Sequence, residues 1–227
     1  MIGTIVNTVA VLIGASIGFL LKKGIPARIS DGIMKALGLC TVFLGISGSL
    51  KGNNSLILII SMVVGTLLGE LVDLDDKLNR LGKALERKFQ KEGSEKVSIA
   101  EGFVTASLLF CVGAMTIVGA LQAGLTGDCE MLYNKSMLDF TSSIIFTSTL
   151  GIGVFFSAAF VLVYQGAITL LAQWVAPLLT DVVIAEMTCV GSVIIIGIGL
   201  NLLGITKLKV MNFVPAIFLP ILLCSFM

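Results

Sequence analysis

The residues of this chain that could do chemistry are few, and they are carboxylates, amides and hydroxyls. There is no histidine among 227 residues, which removes the usual proton shuttle and the commonest metal ligand. Asp139, Glu70 and Glu186 stand within or at the edge of long apolar runs. An ionisable group inside lipid is costly and is therefore a functional candidate by default. Each also has a plainer role. Ser136 to Asp139 matches the capping pattern of a helix starting near 137, Glu186 falls early in an apolar run, and Glu70 could reach water beside Asp73 and Lys77. Ser142, Ser143, Thr147, Ser148 and Thr149 crowd the stretch before Gly151-Ile152-Gly153. Such hydroxyls either bond back to their own helix carbonyls or line a path for a small solute or dehydrated ion. Asn7, Gln122 and Asn201 are amides suited to bonds between helices. The expected pathway is thus Asp139, Ser143, Thr147, Gly151 and Gly153, oriented by Asn7, Gln122 and Asn201, with Glu70 able to couple a proton or cation.

Enzymatic chemistry is not expected. No P-loop, GxSxG, HExxH or histidine-containing triad is present. The five cysteines (40, 111, 129, 189, 224) form no CxxC pair, and four lie in apolar runs, where cysteine behaves as a small hydrophobe. They suggest neither a disulfide framework nor a metal site, and no cofactor is implied. A net charge of +1 with no basic, aromatic-interleaved patch gives no reason to expect nucleic acid.

Lipid is the partner the composition demands. The chain is 56% hydrophobic and 13% charged, with mean hydropathy +1.06, whereas a soluble domain carries about 25% charged residues. The expected fold is all-α, a polytopic transmembrane bundle. Helices are predicted over 2–21, 32–50, 55–74, 99–125, 182–204 and 210–227. The first is of spanning length and lacks a basic n-region, so it reads as a helix, not a signal peptide. The apolar run 137–175 would be about 58 Å long as one straight helix, against a hydrocarbon core of about 30 Å. It is therefore divided near Gly151-Ile152-Gly153. This makes eight crossings, or seven if the run crosses once or is a re-entrant pair. Placing loop 22–33 in the cytoplasm puts 75–100 and 206–209 there too, which follows the positive-inside rule.

Three sequence regions follow: 1–74, the connector 75–98, and 99–227. In the connector, Leu74, Leu78, Leu81, Leu85 and Phe89 repeat at helical spacing, with Lys and Arg on the other faces. The 75–92 segment reads as an amphipathic helix on the membrane surface or on another subunit, or as a solvated connector. Within 99–227, Cys111-Val112-Gly113 with Gly119 returns as Cys189-Val190-Gly191 with Gly197. Each copy is followed by Lys-x-Met (Lys135 to Met137, Lys209 to Met211). Three predicted crossings separate the copies, so an inverted repeat is expected, the arrangement in which transporters build sites near the midplane. Small-xxx-small pairs, Gly14 with Gly18 and Gly65 with Gly69, let helix backbones approach closely and are compatible with a homo-oligomer.

Several stretches together resemble a family. Ile2-Gly3-Thr4-Ile5-Val6-Asn7 with Gly14 and Gly18, Cys111 to Met115 with Gly119, Leu125 to Asp128, Lys135 to Asp139 and Thr149 to Gly153 are similar to the bacterial membrane proteins grouped as domain of unknown function 554, the YqgA/YdfK-like family. The likeness spans essentially the whole chain. It implies a multipass protein of the bacterial cytoplasmic (inner) membrane and transfers no catalytic or binding residue. Phe140 stands where the family pattern suggests glycine. Two functions remain: a small secondary transporter or channel-like permease for a small solute or ion, and a non-transporting membrane scaffold or regulator that works through 75–92.

Overall fold

The computed structural model describes residues 1–22, 27–77, 80, 99–111 and 114–226. The 75–92 amphipathic segment lies outside them except for 75–77 and 80, as do Gly113 and Ser98. Among the described residues every regular element is helical. These are α1 (Ile2–Lys22), α2 (Ala27–Ser49), α3 (Ser55–Val72), α4 (Ile99–Cys111), α5 (Ala114–Leu125), α6 (Glu130–Leu150), α7 (Gly153–Leu170), α8 (Ala172–Val175) and α9 (Asp181–Leu202). A 3-10 helix (Val210–Phe218) and α10 (Leu219–Leu223) follow.

Five of the described helices, α1, α2, α3, α7 and α9, are long and apolar enough to cross a membrane. Where one helix is predicted over 99–125 there are two, α4 and α5, bent by 60°; taken as one crossing they raise the number to six. The eight predicted crossings include two further segments. One is α6, which has the length but carries Glu130, Lys135 and Asp139. The other is the C-terminal segment, where Pro215 and Pro220 remove backbone donors and an α-helix forms only from Leu219 to Leu223.

The chain forms two compact units: residues 1–31, 78–111 and 115–173 in the first, and 32–77, 112–114 and 174–227 in the second. Each unit draws on both sides of the 75–98 connector. In the first, α1 runs parallel to α6. Gly3 faces Leu132, Gly14 faces the Phe140 carbonyl and Ser143, and Gly18 faces the Ile144 carbonyl and Thr147. A Cβ on Gly14 would collide with backbone, so glycine sets this approach. The helix pair α4 and α7 is close in the same way, with Gly153 against Ile99 and Phe103 and with Phe103 edge-on to Phe160 at 6.0 Å. The long apolar run divides at Gly151, whose φ of 77° and ψ of −155° suit glycine almost alone.

In the second unit the buried residues of α3, Ile57, Ser61, Gly65 and Gly69, fall every fourth position. The 3-10 segment lies antiparallel on this stripe, Ala216 at Gly65 and Asn212 at Gly69. Antiparallel to α2 runs α9, with Leu203 at Gly38 and Ile196 at Gly45. Both small-xxx-small pairs are therefore used in packing inside the units.

The glycine contacts set up a paired test. Gly14→Ala is expected to destabilise by about 1–3 kcal/mol, as overpacking does. Gly32→Ala, whose Cβ would meet nothing within 4 Å, is expected to stabilise by about 0.5–1 kcal/mol through helix propensity. Thermal unfolding of the two variants in detergent measures the difference, and equal midpoints would contradict the close α1 to α6 contact.

Candidate functional site

The α6 helix begins seven residues earlier than the capping pattern at 136–139 suggests. Asp128 supplies the reason, since its Oδ1 accepts the Glu130 N–H at 2.9 Å. Lys135, predicted to end a loop, and Asp139, predicted in a first turn, are instead one turn apart inside the helix, the spacing at which opposite charges meet. Both are buried, at 5% and 6% exposure, and the Lys135 ammonium donates to Asp139 Oδ2. Asp139 stands about 14 Å along a helix about 31 Å long.

Two other helices of the first unit complete the network. From α1, Asn7 donates through Nδ2 to Asp139 Oδ2 at 3.0 Å and to Gln165 Oε1 at 2.9 Å. From α7, Gln165 donates to Thr4 Oγ1 at 3.3 Å, and Thr4 shares a hydrogen bond with Thr169 at 3.3 Å. Thr4, Asn7 and Gln165 are fully buried. Asn7 Oδ1 is buried and finds no donor among the described residues. The Cys111 thiol, also buried, lies in the field of Lys135 and Asp139.

Of the expected pathway residues, Asp139 and Asn7 meet directly. Ser143 bonds back to the Phe140 carbonyl at 2.8 Å, as Ser148 and Thr149 do to Ile145. Thr147 is buried beside Gly18, and its hydroxyl finds no partner among the described residues. Gly151 makes the break, Gly153 packs on α4, and Gln122 is half-buried on α5. Asn201 and Glu70 belong to the second unit. Asn201 ties down the loop after α9, donating to the Leu208 carbonyl at 2.8 Å and accepting from Thr206 at 2.7 Å. Glu70 is exposed near the end of α3.

Lys135, Gln165, Thr4 and Thr169 were not among the residues expected to form a pathway. The Asp128 cap two residues before Glu130 would have moved Lys135 into the helix. Gln165, a lone amide among the apolar residues of α7, carried a signal of its own.

The two Cys-Val-Gly copies sit in different surroundings. The first falls where α4 ends at Cys111, and Thr116 Oγ1 reaches back to the Phe110 carbonyl at 2.9 Å. In the second, Ile194 replaces that hydroxyl, and Cys189, Gly191 and Gly197 lie within continuous α9. Gly119 packs on Leu132, while Gly197 faces Leu208 and Val210.

At the end of α3, Asp73 takes a left-handed conformation, φ 47°, and pairs with Lys209 at 3.4 Å. Partial desolvation pushes the Asp73 carboxyl upward, but the Asp76 N–H and the Lys209 ammonium outweigh it and leave it below the usual carboxylate value. The same bond and charge raise the Lys209 ammonium.

These features define a helical membrane protein with a buried, hydrogen-bonded ion pair. The chain belongs to the family described as "Protein of unknown function (DUF554)", which matches residues 2–225. It is similar to "Uncharacterized membrane protein YdfK" of Bacillus subtilis (strain 168), 37% identical over 224 residues, covering 97% of this chain and 94% of that one. It is also similar to "Uncharacterized protein YqgA" of Escherichia coli (strain K12), 31% identical over 221 residues, covering 96% and 94%. No solved structure matches.

Removing one partner of a buried pair strands a charge and costs about 3–5 kcal/mol, whereas replacing both is often neutral or stabilising. Lys135→Met and Asp139→Leu are each expected to lose folded yield and thermal stability by that margin, and the double variant to recover most of it. Additive losses in the double variant would show that the two charges do not act as a pair.

Proposed function

We propose that this is a multipass protein of the bacterial cytoplasmic membrane, working without enzymatic chemistry as a small secondary transporter or channel-like permease for a small solute or ion. The observation that carries this reading is the Lys135–Asp139 pair, buried within α6 and bonded to amides of α1 and α7. A buried ion pair is a weak source of stability, and charges inside lipid mark pathways for ions, protons or polar solutes. The chemistry suits exchange. A proton or cation taken by Asp139 weakens its hold on Lys135, and Asn7, bonded to both Asp139 and Gln165, can shift between them. Asn7 Oδ1 and Thr147 Oγ1 are buried acceptors that a passing solute could satisfy.

The inverted repeat belongs to this reading. Cys111 with Lys135 to Met137 lies in the first unit and Cys189 with Lys209 to Met211 in the second, which supports duplication. The outward apolar residues Phe43, Leu71 and Trp174 face lipid.

The test is flux. Purified protein in liposomes, under separate gradients of protons, sodium, potassium and chloride, is expected to dissipate at least one of them. Asp139→Asn and Thr147→Val should abolish or strongly slow that flux. The Lys135→Met/Asp139→Leu double variant supplies a folded protein without the charges and should be inactive. Flux unchanged in all three variants would remove these residues from the pathway, and a wild type passing none of the ions would remove the permease reading for ions.

Topology is tested separately by single-cysteine labelling in intact cells, with the native cysteines replaced. Thr180→Cys is expected to label from outside and Leu208→Cys only after the membrane is breached. The reverse pattern would make the two motif helices parallel and end the inverted-repeat argument.

A further inference from the structure

The second unit contains a buried carboxylate that the network above does not use. Glu186 lies in the second turn of α9 and is fully buried. Its Oε1 accepts the backbone N–H groups of Asn53 at 2.7 Å and Asn54 at 2.9 Å, in the turn joining α2 to α3. Its Oε2 is buried and has no hydrogen-bond partner among the described residues. The site is tightly walled. Cys189, nearly one turn further along α9, donates its thiol to the Ser49 carbonyl at 3.0 Å. A Cβ on Gly52 would come within 2.7 Å of Cys189 Sγ and 3.2 Å of Glu186 Oε2. Among the described residues, the titratable groups facing Glu186 are the thiols of Cys189 on its own helix and Cys224 just beyond α10. Among the described residues its donors are the two turn N–H groups alone.

This geometry serves two charge states, each incompletely. As an anion, Glu186 makes two charge-assisted bonds through Oε1, the stronger kind, but leaves Oε2 unsatisfied away from water, which is costly. A proton on Oε2 removes the charge, and Oε1 still accepts both N–H groups, now more weakly. The turn carries exposed Lys51 and Asn53, so water reaches its outer side.

We propose that Glu186 is a proton-binding site, Oε2 being the atom that takes the proton, and that its charge state sets how firmly the 51–54 turn is held on α9. The site lies wholly in the second unit and shares no residue with the Lys135–Asp139 network, so it stands whether or not that network carries flux.

The test uses the full chain in lipid vesicles. Infrared difference spectra between mildly acidic and mildly alkaline pH, in H2O and D2O, report the carbonyl stretch of protonated carboxylic acids. The wild type is expected to show a pH-dependent acid band that Glu186→Gln lacks. In parallel, amide exchange at Asn53 and Asn54, corrected for the intrinsic effect of pH, should be roughly tenfold faster in the protonated state, and Glu186→Gln should exchange at that faster rate at both pH values. A band that survives in Glu186→Gln, or wild-type exchange that does not respond to pH, overturns the proposal. Exchange slowed by sodium but indifferent to pH would assign a cation instead, and overturns it equally. Should Glu186→Gln fail to fold, Glu186→Asp keeps a titrating acid one methylene shorter. Its band should shift from the wild-type position, and an unshifted band overturns the assignment.

Discussion

A polar atom carried into a lipid-embedded bundle has no water to bond to, so it must find its partner within the protein. Many of the described hydroxyls do so locally. Ser143, Ser148, Thr149 and Ser157 bond to carbonyls three or four residues back, which takes them out of play as donors to a solute. The groups that cannot close on their own helix are different. Lys135, Asp139, Asn7 and Gln165 need one another, and Asn7 and Gln165 must reach across from neighbouring helices. The arrangement of the first unit follows from that need.

Reach is set by glycine. A bond of 3.0 Å from Asn7 to Asp139 requires α1 to lie closer to α6 than ordinary side chains permit. Gly3, Asn7, Val11, Gly14 and Gly18 occupy one buried face of α1, with glycines on either side of the amide. The same residues that bring the backbones together therefore aim the side chain. Bulk at Gly14 would move Asn7 as well as cost packing, so stability and site geometry are coupled along this helix. The parallel sense of the pair matters too, because it places Asn7 beside the charged half of α6 and leaves Gly14 and Gly18 beside the segment that leads to Gly151.

The bundle itself was legible because apolar run length and composition are properties of single segments. So was the break at Gly151, since the largely apolar 137–175 run of 39 residues exceeds one bilayer thickness. Asp139 and Asn7 were legible as costly groups in the wrong solvent. Their junction was not, because nothing in a linear pattern says that α1 lies parallel to α6. Lys135 escaped for a local reason: one Asx cap moved a helix start by seven residues and turned a loop lysine into a buried one. Asn201 misled in the opposite direction. An amide near a helix end looks like a pathway group, yet it closes its own loop. The Cys-Val-Gly repeat was plain in sequence but silent about backbone, because the hydroxyl of Thr116, absent at Ile194, accompanies a break in one copy and none in the other.

The two units answer one problem with different chemistry. In the first, a carboxylate is neutralised by a lysine one turn away and steadied by side-chain amides, all groups that can rotate. In the second, the carboxylate of Glu186 is met by backbone N–H groups of a turn, which cannot rotate away without moving the chain. A change of charge at Asp139 can therefore be absorbed by side chains, whereas a change at Glu186 is transmitted to the backbone that joins α2 to α3. An acid held by side chains can change partners without moving the chain. One held by a turn ties its charge directly to the backbone that joins α2 to α3.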